Sequence, residues 1–229
     1  MTGSAMIAGF VLVLMCATAH AGTIVVTGLG GGLSLTVHVT SIRGLKFRSV
    51  VRQHTDYSCG AAALATILDF AYGQHLSERQ VIVSMLRVSN SQVVKQKGFS
   101  MLDMANYLAS DGFRGAGYRV PVKALERLRV PVVVLLNIHG YEHFVVLRGV
   151  VRGRAYLADP ALGDRSVSMV RFVKGWDSVV FIVMGPHYDK DTPLRRDLST
   201  TRVHGLMTAV ENSETEHLRE FGVIPAFDF

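Results

Sequence analysis

The chain has 229 residues, 49% of them hydrophobic and 18% charged, with 24 Lys+Arg against 18 Asp+Glu and a formal net charge of +6 at pH 7. That apolar content excludes a mainly disordered chain, and the length suits one domain with appendages. Two cysteines exclude a disulfide framework and a zinc site of several thiolates. Lys and Arg are scattered, without the basic stripe that a nucleic-acid partner requires.

Residues 1–21 carry no Asp, Glu, Lys or Arg, and an apolar run from Ile7 to Ala17 leads to Ala19-His20-Ala21. Small residues at Ala19 and Ala21 fit the A-x-A cleavage pattern of a signal peptide, although no basic residue follows Met1. The apolar run is too short to cross about 30 Å of hydrocarbon, so no stable membrane span is expected after cleavage. Met15 before Cys16 argues against a lipoprotein signal. Export would leave Cys59 as a lone thiol in an oxidising compartment, and either burial or chemistry must account for it.

Residues 22–45 form a Gly-rich segment with a strand-like alternation over Leu33–Thr40. Gly28, Gly30, Gly31 and Gly32 precede a strand rather than a helix, which excludes a dinucleotide loop. From Ser58 or Cys59 to Phe70 the Ala-rich pattern predicts a helix buried nearly all round. Ser77 and Gln80 spell a capping box for a second helix. A third is expected over about Ser100–Asp111, stopped by Gly112, and a short fourth over 122–129. Strands are expected at Val132–Leu136, His143–Val150, Arg154–Asp159 and Val179–Met184. The whole reads as an α+β domain over 46–185, helical first and antiparallel sheet second, followed by a polar tail, 186–229, with one helix near 203–221.

Gln53, Cys59, His143 and Asp159 carry the candidate chemistry. Cys59 opens a helix, where unpaired N–H groups and the dipole favour the negative charge of an attacking sulfur. His143 begins one hairpin strand and Asp159 ends the next, so both lie at one end of the sheet as a base with its orienting carboxylate. A plain two-residue loop at Arg152-Gly153 would turn the two side chains to opposite faces. The chemical reading therefore predicts a longer loop or a bulge. Gln53, six residues before Cys59 on a loop, is placed to donate to an oxyanion beside the Cys59 N–H. Gly60 is expected to let a substrate backbone approach. His54 is a rival base whose evident partner is Asp56. His139-Gly140-Tyr141-Glu142-His143 spells a zinc-peptidase pattern, H-x-x-E-H, but Gly140 after Asn137 between two strands predicts a corner, not the helix that this metal site needs.

Arg52-Gln53-His54-Thr55-Asp56-Tyr57-Ser58-Cys59-Gly60-Ala61-Ala62-Ala63-Leu64-Ala65, Gly98-Phe99-Ser100-Met101, His143-Phe144-Val145-Val146-Leu147 and Ala158-Asp159-Pro160-Ala161-Leu162-Gly163 occur in this order. Over about 46–185 they resemble the bacteriocin-processing, double-glycine leader cysteine peptidases. The resemblance implies a papain-like fold, Cys59 as nucleophile, His143 as base, Asp159 as orienting acid and Gln53 as the oxyanion glutamine. It implies cleavage after small residues such as Gly-Gly, with no cofactor and no metal. Many members are domains of ATP-driven exporters, and nothing in this sequence resembles a transport or ATPase domain. The signal-like start places the chain with stand-alone exported members, some of which accompany functional-amyloid secretion in Gram-negative bacteria. A periplasmic or secreted location and a peptide or protein substrate of an outer-membrane or amyloid-type export system are then expected. A module that binds an export substrate without cutting it is the alternative, and self-processing near Gly31-Gly32 is a further idea.

Overall fold

The computed structural model describes residues 22–29, 33–39 and 41–196. The signal-like segment, Gly31-Gly32 and the helix expected near 203–221 lie outside them. The chain divides into two units, Met1–Ser41 and Ile42–Phe229. In the first, β1 (Gly22–Leu29) pairs antiparallel with β2 (Leu33–Val39), with a register shift between Thr27 and Leu29. Their Thr, Ile and Val content suits extended backbone.

The second unit is built on a helix that small residues allow to be buried on all sides. In α2 (Cys59–Tyr72) Ala61, Ala62, Ala63 and Ala65 are fully enclosed, together with Leu64 and Leu68. Gly60 belongs to the same packing: an added Cβ would meet Met104 Cε at 2.8 Å and Phe144 at 3.3 Å. Its missing side chain thus serves helix packing, not the approach of a substrate backbone. Before α2 lies α1 (Ile42–Lys46), and after it come α3 (Glu78–Leu86), α4 (Ser91–Lys97) and α5 (Met101–Ser110). Capping boxes start α3, through Ser77 and Gln80, and α5, through Ser100 and Asp103.

Six antiparallel strands form the sheet in the order β3-β8-β4-β5-β6-β7. They are β3 (Arg114–Arg119), β4 (Val132–Ile138), β5 (Tyr141–Val151), β6 (Arg154–Asp159), β7 (Gly163–Ser168) and β8 (Val179–Met184). Successive residues of the central strands enter two different cores. Val133, Val146, Ala158 and Phe181 meet α2, α3 and α5. Val132, Val134, Val145, Leu147 and Leu157 join Phe172 and Trp176 of the α7 region (α7, Met169–Gly175) and Leu125 of α6 (Val122–Leu125). Burial on both faces is why β4 and β5 read as continuous apolar runs rather than alternating ones.

Packing continues beyond β8. Thr192 donates through Oγ1 to Phe70 O at 2.6 Å, and Leu194, in α8 (Pro193–Arg196), is fully buried. Arg148 holds this segment from the sheet: its guanidinium donates to Leu194 O (2.8 Å) and Pro193 O (2.7 Å) and pairs with Asp164 at 2.6 Å. Buried among carbonyls and one carboxylate, the charge has the partners that burial demands. No helix among the described residues is long and apolar enough to cross a membrane.

Candidate active site

Cys59 is the first residue of α2, 6% exposed. Ser58 stands at the N-cap, yet its hydroxyl turns back on the preceding loop, donating to Thr55 O at 2.7 Å and accepting from Thr55 N at 3.3 Å. No side chain therefore caps α2, and its first-turn N–H groups face the thiol end without a side-chain acceptor. At Gly98, with φ +74°, an added Cβ would lie 3.3 Å from the Tyr57 carbonyl oxygen, so the start of the Gly98–Met101 motif packs against the loop before Cys59.

The β5–β6 hairpin solves the phase problem with a bulge. Its loop has two residues, Arg152 and Gly153, both with positive φ (50° and 73°), as a tight hairpin turn requires. The register then slips by one residue between Leu147 and Gly149. That extra residue, Arg148, turns His143 and Asp159 to the same side, and His143 Nε2 donates to Asp159 Oδ1 at 2.8 Å. The same residue anchors α8, so one irregularity serves two purposes.

Both groups are enclosed, His143 being 4% exposed and Asp159 0%. Burial alone would drive the imidazole toward its neutral form. The hydrogen bond to Asp159, the charge of that carboxylate and the nearby Cys59 sulfur override burial and raise its pKa to about 9. Asp159 and Cys59 are the side chains that raise the pKa of this ring. Its remaining nitrogen, Nδ1, is buried and has no conventional hydrogen-bond partner. Burial also opposes ionisation of Asp159, but the hydrogen bond from His143 and the positive charge of Arg165 lower its pKa to about 2. Arg165 Nε donates to Asp159 Oδ2 at 2.9 Å, and the Ala161 and Leu162 N–H groups donate to Oδ1 at 2.9 and 3.2 Å.

Gln53 joins this end through its backbone, its N–H donating to Pro160 O at 2.9 Å. Its amide has only a 3.5 Å contact to Thr55 O, and Oε1 is buried without a partner. Tyr141 covers the site: its ring stacks on His143 at 6.1 Å, and its hydroxyl donates to Asp56 O at 2.9 Å. Burial raises the phenol's pKa, and the nearby Cys59, Asp56 and Asp159 raise it further.

The rival arrangements fall elsewhere. His139 and Gly140, with φ of 51° and 87°, form the tight turn between β4 and β5, so H-x-x-E-H is a hairpin and its histidines share no helical face. Among the described residues no group of three His, Cys, Asp or Glu could hold a metal ion. His54 is partnered by Glu78 rather than Asp56, at 2.6 Å from its Nδ1.

Sequence reasoning missed Arg165, Tyr141 and Glu78. Arg165 was detectable: Asp159-Pro160-Ala161-Leu162-Gly163 reads as a turn, and the polar alternation after it as a returning edge strand.

Known proteins resemble this chain over the region that carries these residues. Residues 48–187 match the model of the peptidase C39 family. A Pseudomonas aeruginosa protein described as a probable functional amyloid protease FapD is 42% identical over 213 residues, 93% of this chain and 94% of its own length. Its Pseudomonas fluorescens namesake is 43% identical over 183 residues, covering 80% and 81%. Among solved structures, a double glycine motif protease from an AMS/PCAT transporter, crystallised with its leader peptide, superposes with a TM-score of 0.51 at 28% identity, over 59% of this chain and 90% of that one. The peptidase domain of Streptococcus ComA gives 0.52 at 20% identity, over 60% and 98%, and shares the fold.

Proposed function

Because the chain belongs to the peptidase C39 family of cysteine peptidases, we propose that it cleaves an exported protein substrate through Cys59, His143, Asp159 and Gln53. The Cys59 sulfur attacks the scissile carbonyl, and the resulting oxyanion is held by the Cys59 N–H and the Gln53 amide. Protonated His143 gives its proton to the leaving amine, and the peptide's N-terminal half remains as a thioester. The now neutral ring takes a proton from water, hydroxide attacks the thioester carbonyl, and the sulfur leaves. Asp159 keeps Nε2 engaged throughout, so Nδ1 is the nitrogen that exchanges protons.

One observation carries this reading: a buried imidazole tied to a carboxylate through Nε2, with Nδ1 unengaged and the Cys59 sulfur near enough to raise the ring's pKa. The double glycine motif protease supports cleavage after small residues such as Gly-Gly, since a carbonyl must reach a sulfur that is nearly enclosed. The FapD relatives support a substrate of amyloid-type secretion, and with the signal-like start they support a periplasmic or secreted location.

The test is cleavage of a peptide containing Gly-Gly, followed by mass spectrometry. The native chain should cut after the second glycine, and Cys59→Ala should show no turnover while keeping the native circular dichroism spectrum. Unchanged turnover in Cys59→Ala would overturn the assignment.

A further inference from the structure

The loop that carries Gln53 is held by groups lying far apart in sequence, and one of them is a carboxylate that the mechanism leaves unused. Glu78 is the first residue of α3, 6% exposed, yet among the described residues its hydrogen bonds go to His54 rather than to a Lys or Arg. Its Oε1 accepts the His54 backbone N–H at 2.9 Å, and its Oε2 lies 2.6 Å from His54 Nδ1. The His54 side chain itself is 70% exposed, so the buried carboxylate is not there to satisfy a buried ring. Taking a carboxylate out of water is costly, and the N-terminal end of α3 offsets that cost only in part. What the geometry secures is the peptide unit joining Gln53 to His54.

Two further bonds complete the hold. Val51 N–H donates to Thr66 Oγ1 of α2 at 3.0 Å, and Gln53 N–H donates to Pro160 O, next to Asp159. The backbone on both sides of Gln53 is thus fixed to α2, to the Asp159 turn and to α3. Its side chain, by contrast, has no strong bond of its own. An oxyanion donor works only if it is aimed before the reaction begins, and an error of about 1 Å costs on the order of a hundredfold in rate.

We infer that Glu78 is a positioning residue that aims the Gln53 amide at the oxyanion through the His54 peptide, an inference that rests on the proposed role of Gln53. In the full chain acting on a Gly-Gly peptide, Glu78→Ala should lower kcat by about a hundredfold with KM little changed. Glu78→Gln keeps an acceptor for the His54 N–H and should restore most of that kcat. His54→Ala keeps the backbone bond and should stay near the native rate. In a Gln53→Ala background, already slow, Glu78→Ala should cost almost nothing more, because the two act as one unit. Glu78→Asp, which keeps the charge but withdraws the carboxylate, carries the same comparison if the alanine variant does not fold.

A full additional loss from Glu78→Ala in the Gln53→Ala background would make Glu78 merely structural and overturn the inference. So would a native kcat in Glu78→Ala alongside an impaired Gln53→Ala. A native rate in Gln53→Ala itself would instead remove the oxyanion role beneath it. Inactivity of His54→Ala would restore His54 as a rival base, and both readings would fall.

Discussion

The two ends of the candidate site are held in opposite ways. At the acid end Asp159 accepts from His143, Arg165, Ala161 N–H and Leu162 N–H, so both carboxylate oxygens are engaged. At the sulfur end the polar atoms wait: His143 Nδ1 and Gln53 Oε1 are buried without partners, and no side chain caps α2. Buried polar groups without partners cost stability and are rare in folded proteins. Two of them belong to candidate catalytic residues, where a bound peptide would supply what is missing. The acid end is rigid scaffold, and the sulfur end is shaped for a visitor.

Breaking the rigid end should have the largest effect. Asp159→Ala leaves Arg165 and the His143 ring without their shared carboxylate, and a broken buried pair costs about 3–5 kcal/mol. Chemical denaturation should show that loss together with lost cleavage; a stable, active variant would contradict the contrast. Gln53→Ala touches only the open end, so kcat should fall by about a hundred- to a thousandfold with no drop in melting temperature. An equal drop in stability would show that Gln53 belongs to the scaffold.

The pH dependence sharpens the contrast further. A pKa raised above its unfolded value makes His143 stabilising below about 6.5, and that contribution is lost as pH rises through about 9. Asp159, depressed to about 2, contributes above about 4 and loses its contribution as pH falls toward 2. Stability measured by denaturant should therefore form a plateau between about pH 4 and 6.5 and decline above it. Asp159→Asn should move the alkaline decline of cleavage to lower pH, since the group that raises the ring's pKa is gone; an unmoved profile would sever the link. The smallest effect should come from Tyr141→Phe. It keeps the ring over His143 but loses the bond to Asp56 O, worth about 1 kcal/mol, and should speed iodoacetamide labelling of Cys59 by about fivefold.

The same division governs what could be read before any coordinates. Helix α2 was legible because its Ala-rich run is apolar all round, and the caps of α3 and α5 because a capping box is a four-residue signal. His143 and Asp159 were legible as a pair only on condition of an irregular hairpin, and the slip at Arg148 meets that condition. The two edge strands, β3 and β7, escaped notice: Arg-Gly-Ala-Gly-Tyr-Arg and Gly-Asp-Arg-Ser-Val-Ser bury little and carry no apolar run. Helix α4, polar with only Val94 buried, left no periodic stripe. Glu78 and Tyr141 reach the site across 24 and 85 residues of chain, and local patterns carry no record of such closures.

The central claim is that one imidazole is shared by a sulfur and a carboxylate. Carbon-13 NMR titration of the histidines, with His143 identified from its absence in His143→Ala, tests it most directly. The account predicts a pKa near 9 that falls in both Cys59→Ala and Asp159→Asn. A His143 ring that titrates near 6.5 and ignores the loss of Cys59 would contradict it.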